Sequence, residues 1–338
     1  MTAWEFVQKL GPGWNLGDTF DSIYKHPNAT AQQQETAWHN PVTTSEMIKM
    51  VSAAGFKVFR LPVTWAPQMT ADYKIKDEWM QRVNQVVDYG IDAGMTVILN
   101  LHHEDWHHPT EENYPKASEI LKKVWPQIAT HFQRYGHNLI FEAMNEPRKV
   151  GAPVEWNGGD EEGRRIVMKL NQDFVDAVRQ TGGNNATRML MVPTYAASSH
   201  EAAFVDVVMP KGDNIILSVH SYDPYDFALG EDQSINTWLP EYEKIADDVF
   251  GRIDKYFLSK GIPVIMGECG ARRKGDNVAD RVKWAAYYKK KSKEYGIPCL
   301  WWDNGRLQGC EKTELFGLLN RRELKWEWPE IVEAFVSC

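Results

Sequence analysis

The chain has 338 residues, 43% of them hydrophobic, which is enough to bury a large core. Its formal net charge of −8 disfavours nucleic acid and anionic membrane surfaces as binding partners. The sequence contains no run of about 18 apolar residues and therefore predicts no membrane-spanning helix.

A unit of a helical stretch, a glycine and a short apolar run recurs along the chain. Glycine after a helix readily takes the left-handed capping conformation, and short apolar runs are typical of strands buried on both faces of a parallel sheet. The glycines are Gly55, Gly94, Gly136, Gly183, Gly212, Gly261 and Gly296. The predicted strands are 13–16, 58–60, 96–100, 139–141, 189–192, 215–219, 263–266 and 298–301.

Amphipathic stretches between these runs predict helices over 76–93, 117–135, 161–181, 237–260 and 277–295. Eight strands that alternate with helices indicate an α/β fold, a (β/α)8 TIM barrel that occupies residues 1–338 as a single catalytic domain. A doubly wound open sheet is the competing architecture, but no G-x-G-x-x-G follows the first strand.

Polar or aromatic residues of types common in active sites follow seven of the eight predicted strands. In chain order they are Asn15 and Asp18, Arg60, His102 and His103, Asn145 and Glu146, His220 and Tyr222, Glu268, and Trp302 and Asp303. Active sites of such barrels lie at the carboxyl ends of the strands. We therefore expect these side chains to converge on one site.

Residues 103–107, His-Glu-Asp-Trp-His, match the H-E-x-x-H pattern of zinc proteases. That pattern needs a helix, on which both histidines share one face. The residues before it favour a strand, and Pro109 prevents a helix soon after it. We therefore expect no metal site, and a zinc-dependent hydrolase using His103, Glu104 and His107 is kept as an alternative that sensitivity to a chelator would support.

Glu146 and Glu268 end the fourth and seventh predicted strands, which face each other across the barrel mouth. Glycoside hydrolysis needs such a pair, because one carboxyl protonates the leaving oxygen while the other attacks the sugar or activates water. Either glutamate alone could form an ion pair with an arginine at the rim. The pair, surrounded by histidine, tyrosine and asparagine, favours catalysis.

Seven stretches in chain order resemble glycoside hydrolase family 5, especially its endoglucanase-like branch of cellulases, lichenases and xyloglucanases. They are GWNLG (13–17), FRLPV (59–63), NLHH (100–103), FEAMNEP (141–147), HSYDPY (220–225), GECG (267–270) and WWDNG (301–305). The resemblance covers residues 11 to 305, nearly the whole chain. It implies a retaining double displacement.

The resemblance also implies roles for the catalytic residues. Glu146 would be the general acid/base, with its pKa held up so that it starts protonated. Glu268 would be the nucleophile, kept ionised and aimed by Arg60 and Tyr222.

Further residues are implied to position or bind the sugar. Asn145 would contact the 2-hydroxyl, and His102 and His220 would orient the carboxylates and the sugar. Trp302 would form a platform beneath the sugar, whereas Trp301 should point to the opposite side. The remaining predicted sugar contacts are Asn15, His103, Asn304, Trp65 and Trp106. The last two could equally be lids on the core, and His102 is expected to lie nearer the carboxylates than His103.

The resulting hypothesis is a retaining endo-1,4-β-glucanase (a cellulase) that hydrolyses cellulose, mixed-linkage β-glucan and by extension xyloglucan, without a metal or another cofactor. A β-mannanase or xylanase on the same scaffold is the alternative, because loops set the specificity. A non-catalytic sugar-binding barrel is disfavoured because both carboxylates are present.

The β-glucan polymer is the expected partner, and the default expectation for the oligomeric state is a monomer. A polymeric substrate predicts an extracellular, secreted protein, although the first residues lack the layout of a signal peptide. The four cysteines have no metal-site spacing and are expected to be mostly buried thiols. They are Cys269, Cys299, Cys310 and Cys338.

Overall fold

The computed structural model describes residues 1–26, 28–310 and 312–337. Its centre is a closed barrel in which parallel strands β1 to β8 pair in chain order. The strands are β1 Gly13–Leu16, β2 Val58–Leu61, β3 Thr96–Asn100, β4 Leu139–Glu142, β5 Leu190–Ser198, β6 Ile215–Ser221, β7 Val264–Cys269 and β8 Cys299–Asp303. An antiparallel pair follows, formed by β9 Leu319–Asn320 and β10 Lys325–Trp326.

Helices connect the strands and cover the outside of the barrel. They are α1 Ala3–Val7, α2 Ala31–Glu35, α3 Ser45–Ala53, α4 Asp77–Asp92, α5 Tyr114–His131, α6 Glu161–Arg179, α7 Glu201–Phe204, α8 Tyr225–Ala228, α9 Pro240–Tyr256, α10 Val278–Tyr295 and α11 Pro329–Val336. The predicted helices correspond to α4, α5, α6, α9 and α10, and the predicted barrel is confirmed. Each glycine predicted to end a helix has a positive φ except Gly136.

Side chains inside the barrel form two layers. Alternate residues of a strand point to the same side, so each strand contributes one residue to the lower layer and, two positions later, one to the upper layer. The lower layer is apolar and rests on α1; its members include Val58, Ile98, Ile140, Ile216 and Leu300. The upper layer is mostly polar and contains Asn15, Arg60, Asn100, Glu142, Ser218 and Trp302. The barrel thus places polar groups at the carboxyl ends of its strands.

Residues between these positions point outward and pack beneath the helices. Trp301 shows this, because its ring lies 5.6 Å from that of Trp284 and 5.5 Å from that of Phe335. Its Nε1 donates a hydrogen bond to the backbone oxygen of Phe316 at 3.0 Å. The prediction that Trp301 and Trp302 point to opposite sides is confirmed.

Cys269 and Cys299 are buried free thiols, as expected. Cys310 is exposed, and Cys338 lies outside the described residues. Within residues 1–26, 28–310 and 312–337, no helix combines the length and the apolar character needed to cross a membrane.

Gly13 occupies a place in the barrel interior where a side chain does not fit. A Cβ there would lie 2.4 Å from Leu300 Cγ and 2.9 Å from Val58 Cβ. We expect Gly13→Ala to lower the free energy of unfolding by about 1–3 kcal/mol, the usual effect of overpacking a core. Urea denaturation measures it. Gly136→Ala is the matched control, since its nearest neighbour is 3.8 Å away; equal stability of the two variants would contradict the prediction.

Candidate active site

The guanidinium of Arg60 connects the residues of the site. The side chain is fully buried. Its Nε donates to Glu142 Oε2 at 2.7 Å, and its Nη1 donates to Glu268 Oε1 at 2.7 Å and to Asn15 Oδ1 at 3.0 Å. Its Nη2 donates to Asn145 Oδ1 at 2.8 Å. Burial lowers the pKa of Arg60, but the charges of Glu142 and Glu268 raise it by more, so the guanidinium stays charged.

Glu142 is a fully buried carboxylate below the site that the sequence motifs leave without a role. Its Oε2 accepts from Arg60 and, at 3.2 Å, from Asn100 Nδ2, while its Oε1 accepts from Ser218 at 2.8 Å. The signal for it is strand alternation, because Glu142 lies two residues after the inward-facing Ile140. Glu142 balances part of the charge of Arg60 and fixes its orientation.

Both oxygens of Glu268 are held by donors. Arg60 binds Oε1, and the hydroxyl of Tyr222 donates to Oε2 at 2.9 Å. Burial and the charge of Glu268 raise the pKa of Tyr222 well above its usual value, so the phenol keeps its proton. The expected partnership of Arg60 and Tyr222 with Glu268 is therefore present.

His220 lies between Glu146 and Glu268. Its Nδ1 is 2.8 Å from Glu146 Oε1 and 3.7 Å from Glu268 Oε2. Burial lowers the pKa of His220, but the two carboxylates raise it by more. Burial also raises the pKa of Glu146, but the hydrogen bond and charge of His220, together with Arg148, lower it below its usual value. The expected raised pKa of Glu146 is thus contradicted, and His220 and Glu146 form a hydrogen-bonded pair.

The two catalytic candidates are close enough for a retaining mechanism. A carboxylate oxygen of Glu146, one of Glu268 and a ring nitrogen of His220 all lie within 4.8 Å of one another. Carboxyl groups about 5–5.5 Å apart are typical of retaining glycosidases, whereas inverting enzymes need about 6.5–9.5 Å to admit a water molecule. The separation therefore favours direct attack by one carboxylate on the sugar.

Trp302 stacks on His102 near the carboxyl ends of the barrel strands. The two rings lie parallel, with 5.7 Å between their centroids and 3° between their planes. A Cβ on Gly17 would lie 2.7 Å from the indole, so glycine at that position leaves room for the ring. Burial lowers the pKa of His102 well below its usual value, which keeps the ring neutral. Trp302 is 8% exposed and lies outside the hydrophobic clusters of the described residues, and its role as a platform for sugar stays a prediction.

His103 is the exposed member of the histidine pair, with 39% of its side chain accessible. Its ring lies 5.6 Å from that of Trp38, which the motifs do not identify. Its Nε2 is 3.9 Å from Asp21 Oδ2. Burial lowers the pKa of the ring, and the charge of Glu146 opposes that shift. His102 contacts Asn100, whose Nδ2 donates to His102 Nδ1 at 3.1 Å and to Glu142 Oε2 at 3.2 Å, and its expected position nearer the catalytic carboxylates than His103 stays a prediction.

Two asparagines predicted to contact sugar are used inside the fold. Asn15 is fully buried, and its Nδ2 donates to backbone oxygens of β7 and β8 while its Oδ1 accepts from Arg60. Asn304 Nδ2 donates to the backbone oxygen of Glu314 at 2.7 Å, and its Oδ1 accepts from the N–H of Arg306 at 3.1 Å. The predicted sugar contacts of both are wrong, because protein groups occupy their amides.

The two loop tryptophans are core residues, which agrees with the second of their two predicted roles, as lids on the core, and not with sugar platforms. Trp65 has no exposed surface, and its Nε1 donates to the backbone oxygen of Asn100 at 2.8 Å. Trp106 is 8% exposed, belongs to the same hydrophobic cluster, and donates to Glu104 Oε2 at 2.7 Å.

The H-E-x-x-H residues do not form a zinc site. No helix covers residues 103–107. Glu104 is buried and accepts hydrogen bonds from the backbone N–H of Trp65 and the indole of Trp106, so it holds the loop together. In the described part of the chain, the groups close enough to hold a metal ion include neither Glu104 nor His107. The zinc hydrolase using His103, Glu104 and His107 is thus contradicted.

Arg148 and Trp156, in the loop between β4 and α6, extend the site beside Glu146. Arg148 Nη1 lies 3.7 Å from Glu146 Oε2 and donates to the backbone oxygen of Glu146 at 3.0 Å. Its guanidinium carbon is 4.1 Å from the ring centroid of Trp156, whose side chain is 52% exposed. Glu155 accepts from Arg148 Nε at 3.0 Å. The loop has no periodic pattern of apolar residues, so periodicity could not identify these residues from the sequence.

Two endoglucanases are similar in sequence to this chain over nearly its whole length. Endoglucanase B of Neocallimastix patriciarum is 45% identical, over 98% of this chain and 71% of that protein. Endoglucanase A of Clostridium longisporum is 43% identical over 99% of this chain, which spans 65% of that relative's length, less than two thirds.

Solved structures match equally well. A GH5-4 broad specificity endoglucanase from Ruminococcus champanellensis with bound cellotriose has a TM-score of 0.96 at 43% identity, covering 100% of this chain and 99% of that one. A GH5 family lichenase from Caldicellulosiruptor sp. F32 has a TM-score of 0.93 at 42% identity, covering 99% and 95%. The model of the family named cellulase (glycosyl hydrolase family 5) matches residues 23–308. The chain belongs to glycosyl hydrolase family 5.

Proposed function

We propose that the chain is a retaining endo-1,4-β-glucanase, a cellulase that cleaves internal bonds of β-glucans by double displacement. The observation that carries the proposal is the pair Glu146 and Glu268, with oxygens within 4.8 Å, joined through His220 at the carboxyl end of the barrel. Named endoglucanases among the relatives support an endo-acting glucanase.

In the first step Glu268 attacks the anomeric carbon, and the bond from that carbon to the glycosidic oxygen breaks. Arg60 and Tyr222 hold the carboxylate, so it approaches with one orientation. The leaving oxygen takes a proton from Glu146. Before binding, this proton is shared with His220; bound sugar excludes water from the pair, which makes two adjacent anions more costly and favours the proton on Glu146.

In the second step Glu146 acts as a base. The glycosyl ester on Glu268 carries no charge, so one of the anions that raised the pKa of His220 has gone. Glu146 takes a proton from water, the water oxygen bonds to the anomeric carbon, and the ester bond breaks. Asn145 keeps Nδ2 for the sugar 2-hydroxyl, because Arg60 occupies its Oδ1.

The substrate class follows from the cleft walls and the relatives. Trp302, stacked with His102, offers a flat face to a glucosyl ring, and the half-exposed His103 extends the polar wall. Structural relatives named broad specificity endoglucanase and lichenase support a β-glucan substrate. We extend the proposal to cellulose, mixed-linkage β-glucan and xyloglucan.

The remaining properties follow from this substrate. A β-glucan polymer is the partner, and its size calls for a secreted, extracellular enzyme. Residues 1–338 act as one catalytic domain and as a monomer, with no nucleic acid partner. The mechanism takes nucleophile and acid from glutamates, so it requires no cofactor.

The two glutamates can be distinguished chemically. We expect Glu268→Ala and Glu146→Ala each to lose about 10³-fold or more in kcat/KM on barley β-glucan. With sodium azide and an aryl β-cellobioside, Glu268→Ala should give the α-glycosyl azide and Glu146→Ala the β-glycosyl azide, because azide replaces the nucleophile in one and the attacking water in the other. Proton NMR identifies the products.

The control for these variants is Glu161→Ala, an exposed residue in the first turn of α6, which should keep full activity. A wild-type enzyme that releases the α-anomer first, or an azide product of the opposite configuration in either variant, would contradict the assignment.

Arg148 should control the basic side of the pH profile. Its charge lowers the pKa of Glu146, so Arg148→Gln should raise that pKa and keep the acid protonated to higher pH. The basic limb of kcat/KM, which reports the free enzyme, should then move to higher pH. Arg165→Gln, which removes an equal charge paired with Glu111 on the surface, should leave the profile unchanged. A basic limb that stays in place in Arg148→Gln would refute the electrostatic role.

Trp302 and Trp65 should respond differently to substitution. Trp302→Ala should lower kcat/KM about tenfold or more, about 1.4 kcal/mol of lost transition-state binding. Trp65→Phe should lower the melting temperature, since a buried indole hydrogen bond is lost, and should leave kcat/KM nearly unchanged. Comparable losses of kcat/KM in both variants would show that Trp65 contributes to the site.

A further inference from the structure

Two clusters of the described residues bring three potential metal ligands together. In each cluster the ligand atoms lie within 4.8 Å of one another. One contains Asp21, His102 and His103, and the other contains Glu146, His220 and Glu268. Their hydrogen bonds decide which of the two can bind a cation.

The first cluster is blocked at His102. Asn100 Nδ2 donates to His102 Nδ1, and the orientation of this amide is fixed because Asn100 Oδ1 accepts from the backbone N–H of Val63 at 3.0 Å. The neutral ring therefore carries its proton on Nε2. Neither nitrogen offers a lone pair to a metal unless the bond to Asn100 breaks.

The second cluster has no such obstacle. His220 Nδ1 carries a proton only because it faces Glu146 and Glu268, and its Nε2 has no hydrogen-bond partner among the described residues. Glu146 Oε1 and Glu268 Oε2 both lie near His220 Nδ1, at 2.8 Å and 3.7 Å. Each carboxylate oxygen has lone pairs left after accepting from a single protein donor.

The distances suit a small divalent ion. Zinc bonds of about 2.0–2.2 Å place neighbouring ligands of a tetrahedral site about 3.4 Å apart. The two distances from His220 Nδ1, 2.8 Å and 3.7 Å, lie on either side of that value. The carboxylates of Glu146 and Glu268 are farther apart than this, and rotation of the Glu146 side chain, which is 17% exposed, brings them closer. Arg60 holds Glu268 in place.

We propose that Glu146, His220 and Glu268 bind Zn²⁺ as a reversible inhibitor, with the ion in the place of the proton that His220 shares with Glu146. The displaced proton leaves to solvent. Imidazole and carboxylate ligands suit zinc, and the bound ion occupies both the nucleophile and the acid. The inhibitory consequence rests on the proposed glucanase function, but the binding does not.

Titration calorimetry with ZnCl₂ tests the site directly. Wild type should bind one strong equivalent, and Glu146→Gln, which keeps the shape but removes a charged ligand, should bind about tenfold or more weakly. His103→Ala is the matched control, because it removes a ligand of the blocked cluster; it should bind zinc as wild type does. Circular dichroism checks the folding of both variants.

Kinetics provide the second readout. Zn²⁺ should raise the KM of wild type for barley β-glucan without changing kcat, and EDTA should reverse the effect. Zinc binding lost in His103→Ala but kept in Glu146→Gln, binding without inhibition, or no binding by wild type would each overturn the proposal. If wild type fails to hydrolyse β-glucan without zinc, the proposed function fails, while calorimetry still decides the metal site.

Discussion

The site depends on a single buried cation. Arg60 has no exposed surface, and its guanidinium meets Glu142, Glu268, Asn15 and Asn145 at 2.7–3.0 Å. A buried ion pair contributes little net stability, but removal of one partner leaves an uncompensated charge that costs about 3–5 kcal/mol. Arg60 and its acceptors are therefore mutually required, and the value of the arrangement lies in geometry. One planar group fixes both the nucleophile and the residue assigned to the sugar 2-hydroxyl.

The proton balance of the site follows from this arrangement. Glu142 and Glu268 face Arg60, so Glu146 is left with His220 and the more distant Arg148. A proton between Glu146 and His220 is held there by the charge of Glu268, because that charge raises the pKa of His220. Esterification of Glu268 removes the charge. Loss of that charge lowers the pKa of His220, so the pair of Glu146 and His220 holds its proton less tightly after the first step than before it.

Much of this arrangement can be predicted from sequence, for a physical reason. A strand inside a closed barrel alternates strictly between interior and exterior, so the positions of Arg60, Trp301 and Trp302 follow from the apolar residues around them. The same rule applied one step further would have found Glu142, two residues after Ile140. Ends are predicted less well, since β5 extends to Ser198 beyond the predicted 189–192 and α5 covers Tyr114–His131 rather than the predicted 117–135.

The wrong predictions share one cause. Asn15, Asn304, Trp65 and Trp106 have the residue types that bind sugars, but their partners are protein groups. Those partners are often distant along the chain: the backbone of Trp65 binds Glu104, which is 39 residues away, and Asn15 binds Arg60, which is 45 residues away. Residue type indicates that a polar or aromatic contact is made. Only the tertiary structure shows whether protein or substrate makes it.

The loop between β4 and α6 links substrate choice to acidity. Arg148 stacks on the exposed Trp156, binds Glu155, and lies 3.7 Å from Glu146, the proposed acid. A polysaccharide that contacts Trp156 therefore contacts the indole against which Arg148 packs, and the charge of Arg148 lowers the pKa of Glu146. Substitutions that reshape this loop for another glucan would also move the pKa of Glu146. The barrel fixes Glu268 through Arg60, whereas a loop lies beside Glu146. Changes in this loop therefore alter substrate specificity and the pH dependence of Glu146 together, while the surroundings of Glu268 stay constant.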